Sequence, residues 1–161
     1  MNSVYYIYES IFGKIIIESD GSAVTLLKTG SFVEPSGKKA PDVITDMAAR
    51  QLDEYFNGGR NRFDVPLRPH GTDFQVTVWN ALCKIPYGET RSYKQIAQAA
   101  GKPGAYRAVG MANNRNPIWI MIPCHRVIGS DGTLTGYGGG LEMKQQLLDI
   151  EKQEKRGRQQ A

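Results

Sequence analysis

The residues best suited to chemistry stand together at Pro123-Cys124-His125-Arg126. A thiol attacks as thiolate, and a neighbouring imidazole is a common means of taking its proton. The bland reading of a free cysteine is a buried, inert side chain. Cys83 fits it: it follows Trp79 and Leu82 in a helical run and reads as core. Cys124 differs, because a histidine follows it and a basic residue comes next. Trp119-Ile120-Met121-Ile122 has the pattern of a buried strand, and Pro123 biases Ile122 towards extended backbone. Cys124 is therefore expected at the end of a strand, on a rigid support. In extended chain, adjacent side chains point to opposite faces. A bridging water, rather than direct contact, is then the expected route from Cys124 to His125.

A histidine base needs a partner to fix its tautomer. The last helix, expected from Leu141 to about Glu151, sets Lys144, Leu147, Leu148 and Glu151 on one stripe, which turns Glu151 inward. A carboxylate in a last helical turn opposes the helix dipole and calls for a compensating donor. The alternative is a solvated glutamate on a fraying end, the reading taken for Glu154. Cys124, His125 and Glu151 thus make a candidate thiol relay.

The rest of the composition narrows the classes. Two cysteines and two histidines, His70 and His125, show neither CxxC nor HxxxH spacing, so no metal site is expected. Met1 to Tyr6 lack a basic start and a long apolar stretch, and no apolar run is long enough to cross a bilayer. These features predict a cytoplasmic protein without a disulfide scaffold. Net charge is +4, unevenly placed: residues 1–70 hold 8 Lys+Arg against 9 Asp+Glu, and residues 71–161 hold 12 against 7. A positive second half suits a polyanion, and a solvated surface accounts for it nearly as well.

The elements that must position these residues read as α+β. A small N-terminal mixed or antiparallel sheet with a helix spans 1–70, and a mostly helical C-terminal subdomain with a helix-turn-helix spans 71–161. Strands are expected at Val4–Glu9, Lys14–Glu18 and Ala23–Lys28, with Ser19-Asp20-Gly21 as a tight turn. A loop is expected over Glu34–Lys39, a helix over 42–56 and one more strand at Arg62–Leu67. Thr72-Asp73-Phe74-Gln75 is a capping box opening a helix whose inner face carries Phe74, Val78, Ala81 and Leu82. Ser92-Tyr93-Lys94-Gln95 opens a second helix, closed by Gly101, and a third runs from about Ala105 to Asn113. Short helices joined by a glycine-containing turn form a helix-turn-helix signature. Ala105, Ala108, Gly110 and Ala112 make the third helix narrow. They suit close packing on a neighbouring helix, or close approach to a DNA groove with Arg107 projecting. The tail Lys152–Ala161, with Lys155, Arg156 and Arg158, is expected to be disordered, phosphate contact being the alternative.

With these residues in view, the sequence resembles the O6-alkylguanine-DNA alkyltransferases, also called methylated-DNA–protein-cysteine methyltransferases. Ile122-Pro123-Cys124-His125-Arg126-Val127 is similar to that family's active-site sequence, and Tyr93, Arg107, Asn116 and Glu151 stand at the family's spacings from the cysteine. Ile85-Pro86-Tyr87-Gly88-Glu89, Arg107-Ala108-Val109-Gly110 and Gly136-Tyr137 add to it. The close resemblance covers about residues 71–151, and the first 70 match in general layout, implying a ribonuclease H-like subdomain.

The resemblance implies a single-turnover DNA repair protein, monomeric and cofactor-free. It would grip double-stranded DNA through the minor groove and flip an O6-alkylguanine, chiefly O6-methylguanine, out of the stack. Arg107 would fill the vacated place, Tyr93 would displace the phosphate and protonate guanine N3, and Ala105, Ala108, Arg115 and Arg126 would contact DNA. Glu151 would orient His125, which deprotonates Cys124 through water, and Asn116 would join the segments around the site. Pro123, Val127, Trp119, Thr135, Tyr137 and Gly138 would wall the base pocket. Three departures stand out. Gly138 replaces a serine of some relatives, so a backbone N–H must serve the guanine oxygen. Trp119 replaces a proline of some members and would either cover the core or narrow the pocket against bulky adducts, and the zinc ligands of some first domains have no counterparts. The chief alternative is an alkyltransferase-like protein that binds alkylated DNA without repairing it, though such proteins lack the cysteine. A cysteine hydrolase would leave Arg107 and the helix-turn-helix unexplained, and regulators of the family carry further domains.

Overall fold

Runs of Tyr, Ile and Val near the start of the chain form three strands, β1 (Val4–Ser10), β2 (Gly13–Ser19) and β3 (Val24–Thr29), paired antiparallel in sequence order. The computed structural model describes residues 3–30 and 35–160, with side chains through residue 153. In β2, Ile15, Ile16 and Ile17 are all buried, so both faces of the middle of the sheet are covered. The polar stretch read as a loop contains a two-residue strand, β4 (Lys38–Lys39), parallel to β1. Its pairing is made by backbone groups, Lys38 N–H to Ser3 O and Ala40 N–H to Tyr5 O, so exposed lysines serve on this edge. Glu34 lies outside the described residues. The sheet order is β3-β2-β1-β4.

Helix α1 (Val43–Phe56) opens on an Asp42/Thr45 capping box and buries Ile44, Ala48, Leu52 and Tyr55 towards the sheet. The strand expected over Arg62–Leu67 does not form. Gln51 Oε1 accepts from the N–H groups of Asp64 and Val65, Pro66 has no N–H to give, and only Leu67 bridges to Val24. β3 also takes Pro117–Trp119, through Leu27 N–H to Pro117 O and Trp119 N–H to Leu27 O, both 2.9 Å. One compact unit therefore joins residues up to His70 with Pro117–Trp119, and the other holds Gly71–Asn116 and the chain from Ile120 onward.

In the second unit, α2 (Asp73–Leu82) and α3 (Tyr93–Ala99) both start at the anticipated capping boxes, Thr72/Gln75 and Ser92/Gln95. Gly101, at φ 76°, ends α3 in the left-handed conformation that glycine tolerates. Helix α4 (Tyr106–Asn114) follows, and Trp79 Nε1–H donates to Ala112 O at 2.9 Å, pinning α2 to α4. Phe74 is only half-buried, and Cys83, read as core, is exposed: α2 ends at Leu82, and its cap residue turns away from the inner face. β5 (Arg91–Ser92) pairs parallel with β6 (Val127–Ile128). The last helix, α5 (Leu141–Gln160), continues well past Glu151. The tail expected to be disordered is helical to Gln160, in keeping with its Lys, Gln, Glu and Arg content. The roles weighed for Glu154, Lys155, Arg156 and Arg158 concern side chains outside the described residues.

Candidate active site

The strand expected at Trp119–Ile122 is absent. Trp119 is tied to β3, and the chain turns sharply at once, with Ile120 at φ 72°. That region is disfavoured for a β-branched residue, and Ile120 is held in it by packing, being 1% exposed. Cys124–Arg126 then form one turn of 3-10 helix rather than extended chain, with Cys124 N–H on Ile122 O at 2.8 Å and Arg126 N–H on Pro123 O at 3.0 Å. The argument from alternating faces therefore does not apply to Cys124 and His125. Asn116 Nδ2 donates to Ile122 O at 2.8 Å and fixes the approach to the turn. On its far side Val127 pairs with Arg91 and Ile128 with Ser92, which sets the active turn beside the start of α3 and hence beside Tyr93.

Within this frame two members of the anticipated relay, His125 and Glu151, meet. His125 Nε2 lies 2.6 Å from Glu151 Oε2, and both side chains are buried. The compensating donors called for by Glu151 come from Arg126, whose Nε and Nη2 reach the two carboxylate oxygens at 2.9 and 3.1 Å, and from Gly88 N–H at 3.2 Å. Burial alone would raise the Glu151 carboxyl; its bonds to His125 and Arg126 outweigh that and hold it at about 2. Burial lowers His125 against the pull of Glu151, so the imidazole is a neutral base. With the carboxylate on Nε2, the proton of the neutral ring belongs there, and Nδ1, buried and without a protein hydrogen bond, keeps its lone pair. Burial pushes the Cys124 thiol up to about 11, while the Asn116 amide and the charge of Lys144 pull it back.

Arg126 departs from the sequence reading. It was expected on DNA, but it is 7% exposed, with Nη1 on Ile85 O at 2.8 Å and its guanidinium over the Tyr87 ring at 5.7 Å. A side chain with its donors spent on Glu151 and Ile85 is an interior clamp. Trp119 belongs to the sheet unit, where Lys28 Nζ lies 5.9 Å from its ring centroid.

The other residues fall around the turn. Pro123 and Val127 are buried on either side of it. Tyr93 OH lies 2.5 Å from Thr135 Oγ1, and the Tyr93 ring faces Gly110 of α4, where a Cβ would stand 3.7 Å from it. The segment Thr135-Gly136-Tyr137-Gly138 thus rests on α3, and Gly136 lies against Asn114 of α4. Burial raises the Tyr137 phenol well above 10, and Gly138 is exposed. On α4, Arg107 and Ala108 are exposed and Ala105 half-exposed, with Arg115 exposed just beyond, while Val109, Ala112 and Asn113 face inward. Asn113, not among the residues expected at the site, has its Nδ2 3.5 Å from Cys124 O; its sign in the sequence is a polar residue one turn after Val109. Lys144 likewise has no role in the sequence reading, although its place on the α5 stripe marks it as inward. Chemically the site is a buried thiol with a neutral base, next to a helix whose outer face is open.

Comparison with known proteins finds relatives along nearly the whole chain. Residues 3–69 match the model of the 6-O-methylguanine DNA methyltransferase ribonuclease-like domain, and residues 73–153 that of the DNA-binding domain of the same name. The chain is 54% identical over 156 residues to a methylated-DNA–protein-cysteine methyltransferase of Methanosarcina barkeri, covering 91% of this chain and 96% of the relative. It superposes on the crystal structure of Mycobacterium tuberculosis O6-methylguanine methyltransferase with a TM-score of 0.88 and 48% identity, over 94% of each chain. Against M. tuberculosis OGT in complex with DNA the TM-score is 0.89 at 47% identity, again over 94% of each. Two domain models that together span most of the chain, and relatives matched along nearly their whole length, place the chain in the 6-O-methylguanine DNA methyltransferase family.

Proposed function

We propose that this chain repairs DNA by moving an alkyl group from guanine O6 onto Cys124, once per molecule. The observation that carries the reading is the buried Cys124 in a rigid turn whose next residue, His125, is a neutral base locked by Glu151. DNA would lie along the exposed side of α4 in its minor groove, with Arg107 entering the stack and the target guanine turned out towards Tyr137, because an O6 substituent inside the duplex is beyond reach of a thiol. Ala105 and Ala108 let α4 approach closely, and Arg115 meets a phosphate.

In the transfer, His125 Nδ1 takes the thiol proton through one water. The sulfur then attacks the alkyl carbon: the C–S bond forms, the C–O6 bond breaks, and its electron pair stays on guanine. Tyr93 gives that guanine a proton at N3, and Asn116 keeps the turn aligned. Gly138, with no side chain, offers its N–H to O6. The product is a neutral thioether with no route back, so the protein is consumed. We read it as a cytoplasmic monomer, and transfer onto a cysteine of the same chain calls for no cofactor.

The test is intact-protein mass after incubation with a duplex containing O6-methylguanine, beside a Cys124→Ser variant. The expected result is a gain of one methyl group on the native chain alone, stopping at one. An unchanged mass with tight binding to the duplex would instead indicate lesion binding without repair.

A further inference from the structure

Lys144 is fully buried, at 0% exposure, on the inner stripe of α5, which packs against the 3-10 turn carrying Cys124. Its Nζ donates to the Thr135 carbonyl at 2.7 Å, a neutral acceptor. No carboxylate among the described residues is within ion-pairing distance of it, and Glu151 on the same helix is committed to His125, Arg126 and Gly88. A buried ammonium with only a carbonyl for company is costly, and such groups gather where a charge is wanted. The charge it interacts with is that of the Cys124 sulfur.

We propose that Lys144 is the counter-charge the Cys124 sulfur meets as it ionises, with the Thr135 carbonyl holding the ammonium in place. The inference rests on the alkyl-transfer reading and adds a positioning residue to it. A cation near sulfur favours the state in which the proton has moved to His125, and does little for the neutral thiol or the thioether, so its stabilisation belongs to the reacting state. Thr135 also meets Tyr93 OH through its hydroxyl. The loop that walls the base pocket thereby touches both the lysine and the helix-turn-helix.

The pH dependence separates charge from mere support. The titratable groups whose charges couple to Lys144 are Cys124 and His125; Arg126 follows His125 on the 3-10 turn, Tyr137 stands on the loop of Thr135, and Glu151 lies on the helix of Lys144 itself. His125 stays neutral at rest, Glu151 ionised and Tyr137 protonated across pH 7–9.5. Burial lowers Lys144 to about 8, against the pull of Cys124. The proton leaving sulfur stays on His125, so the reacting state holds as many protons as the resting one. The rate should then be level up to about pH 8 and fall beyond it, as Lys144 deprotonates.

The experiment measures the single-turnover rate of methyl transfer from an O6-methylguanine duplex between pH 6.5 and 9.5, on the native chain, Lys144→Met and Lys144→Arg. DNA affinity and melting temperature are recorded for each. The native rate is expected to fall above pH 8, approaching tenfold per unit. Lys144→Met should be slower at pH 7.5 by tenfold or more, level across the range, and unchanged in DNA affinity. Lys144→Arg, which cannot lose its charge, should recover most of the rate and show no fall. A native rate that stays level or rises to pH 9.5 overturns the proposal, and this arm needs no variant to fold. So does a Lys144→Met profile that keeps the native fall at a lower level. If the native chain gains no methyl group, the alkyl-transfer reading itself has failed.

Discussion

At the scale of single residues, the site is organised around Glu151, a carboxylate that His125 and Arg126 share. Removing its charge with Glu151→Gln leaves two buried groups facing a neutral amide. Breaking a buried pair in this way costs about 3–5 kcal/mol, and loss of the imidazole's anchor should slow methyl transfer by roughly a hundredfold. The pH dependence has a definite sign. Glu151 is held at about 2 against an ordinary 4.5, so its stabilisation is present above pH 4.5 and lost as pH falls towards 2. His125 is lowered from 6.5 by burial, so it too favours the fold above pH 6.5 and opposes it below. Urea midpoints of the native chain should decline as pH falls from 7 into acid. Glu151→Gln should start lower and lack the part of the decline between pH 4.5 and 2. A variant that declines in parallel with the native chain over that interval would mean that the carboxylate is not held by these partners.

Among the elements, α3 and α4 have little of their own to hold them: nine residues or fewer each, with a glycine-containing turn between. The Ser92 capping box matters more for that reason, since its hydroxyl accepts from Gln95 N–H while Gln95 Oε1 accepts from Ser92 N–H. Ser92→Ala should cost about 1 kcal/mol. Because Ser92 also pairs with Ile128 beside the active turn, the change should weaken DNA binding and slow transfer together. A fall in melting temperature with transfer unaffected would show that α3 does not support the turn. This box was legible in the sequence because a cap is a rule about neighbours three residues apart, and the stripe of α5 was legible for the same reason. What escaped depends on partners far along the chain. The turn at Ile120 follows from Trp119 bonding to Leu27, and Arg126 is drawn inward by Ile85 and Glu151. β4 escaped because pairing through backbone groups leaves no apolar pattern to read. Residue types and one helical stripe pointed to Cys124, His125 and Glu151; the 3-10 geometry of the turn left no such sign.

For the whole molecule, the excess of positive charge in residues 71–161 matters to function only as far as individual cations reach DNA, and three arginines separate the cases. Each phosphate neutralised by a cation adds about −0.9 to the slope of log affinity against log salt. Arg115 is exposed beyond the end of α4, and Arg115→Ala should make that slope shallower by about one unit while leaving the transfer rate at saturating DNA nearly unchanged. Arg107 is exposed on α4 and is read as entering the base stack, so Arg107→Ala should reduce the transfer rate at saturation far more than it changes the slope. Arg126 is spent on Glu151 and Ile85, so Arg126→Lys should leave the slope as it is. It should lower the melting temperature instead, because an ammonium cannot span both carboxylate oxygens and the carbonyl with the geometry of a guanidinium. Affinity titrations at several salt concentrations, paired with single-turnover rates, distinguish all three. A slope changed by Arg126→Lys would place that side chain on DNA after all. A slope unchanged by Arg115→Ala would mean that the positive half of the chain meets the duplex through a face other than the end of α4.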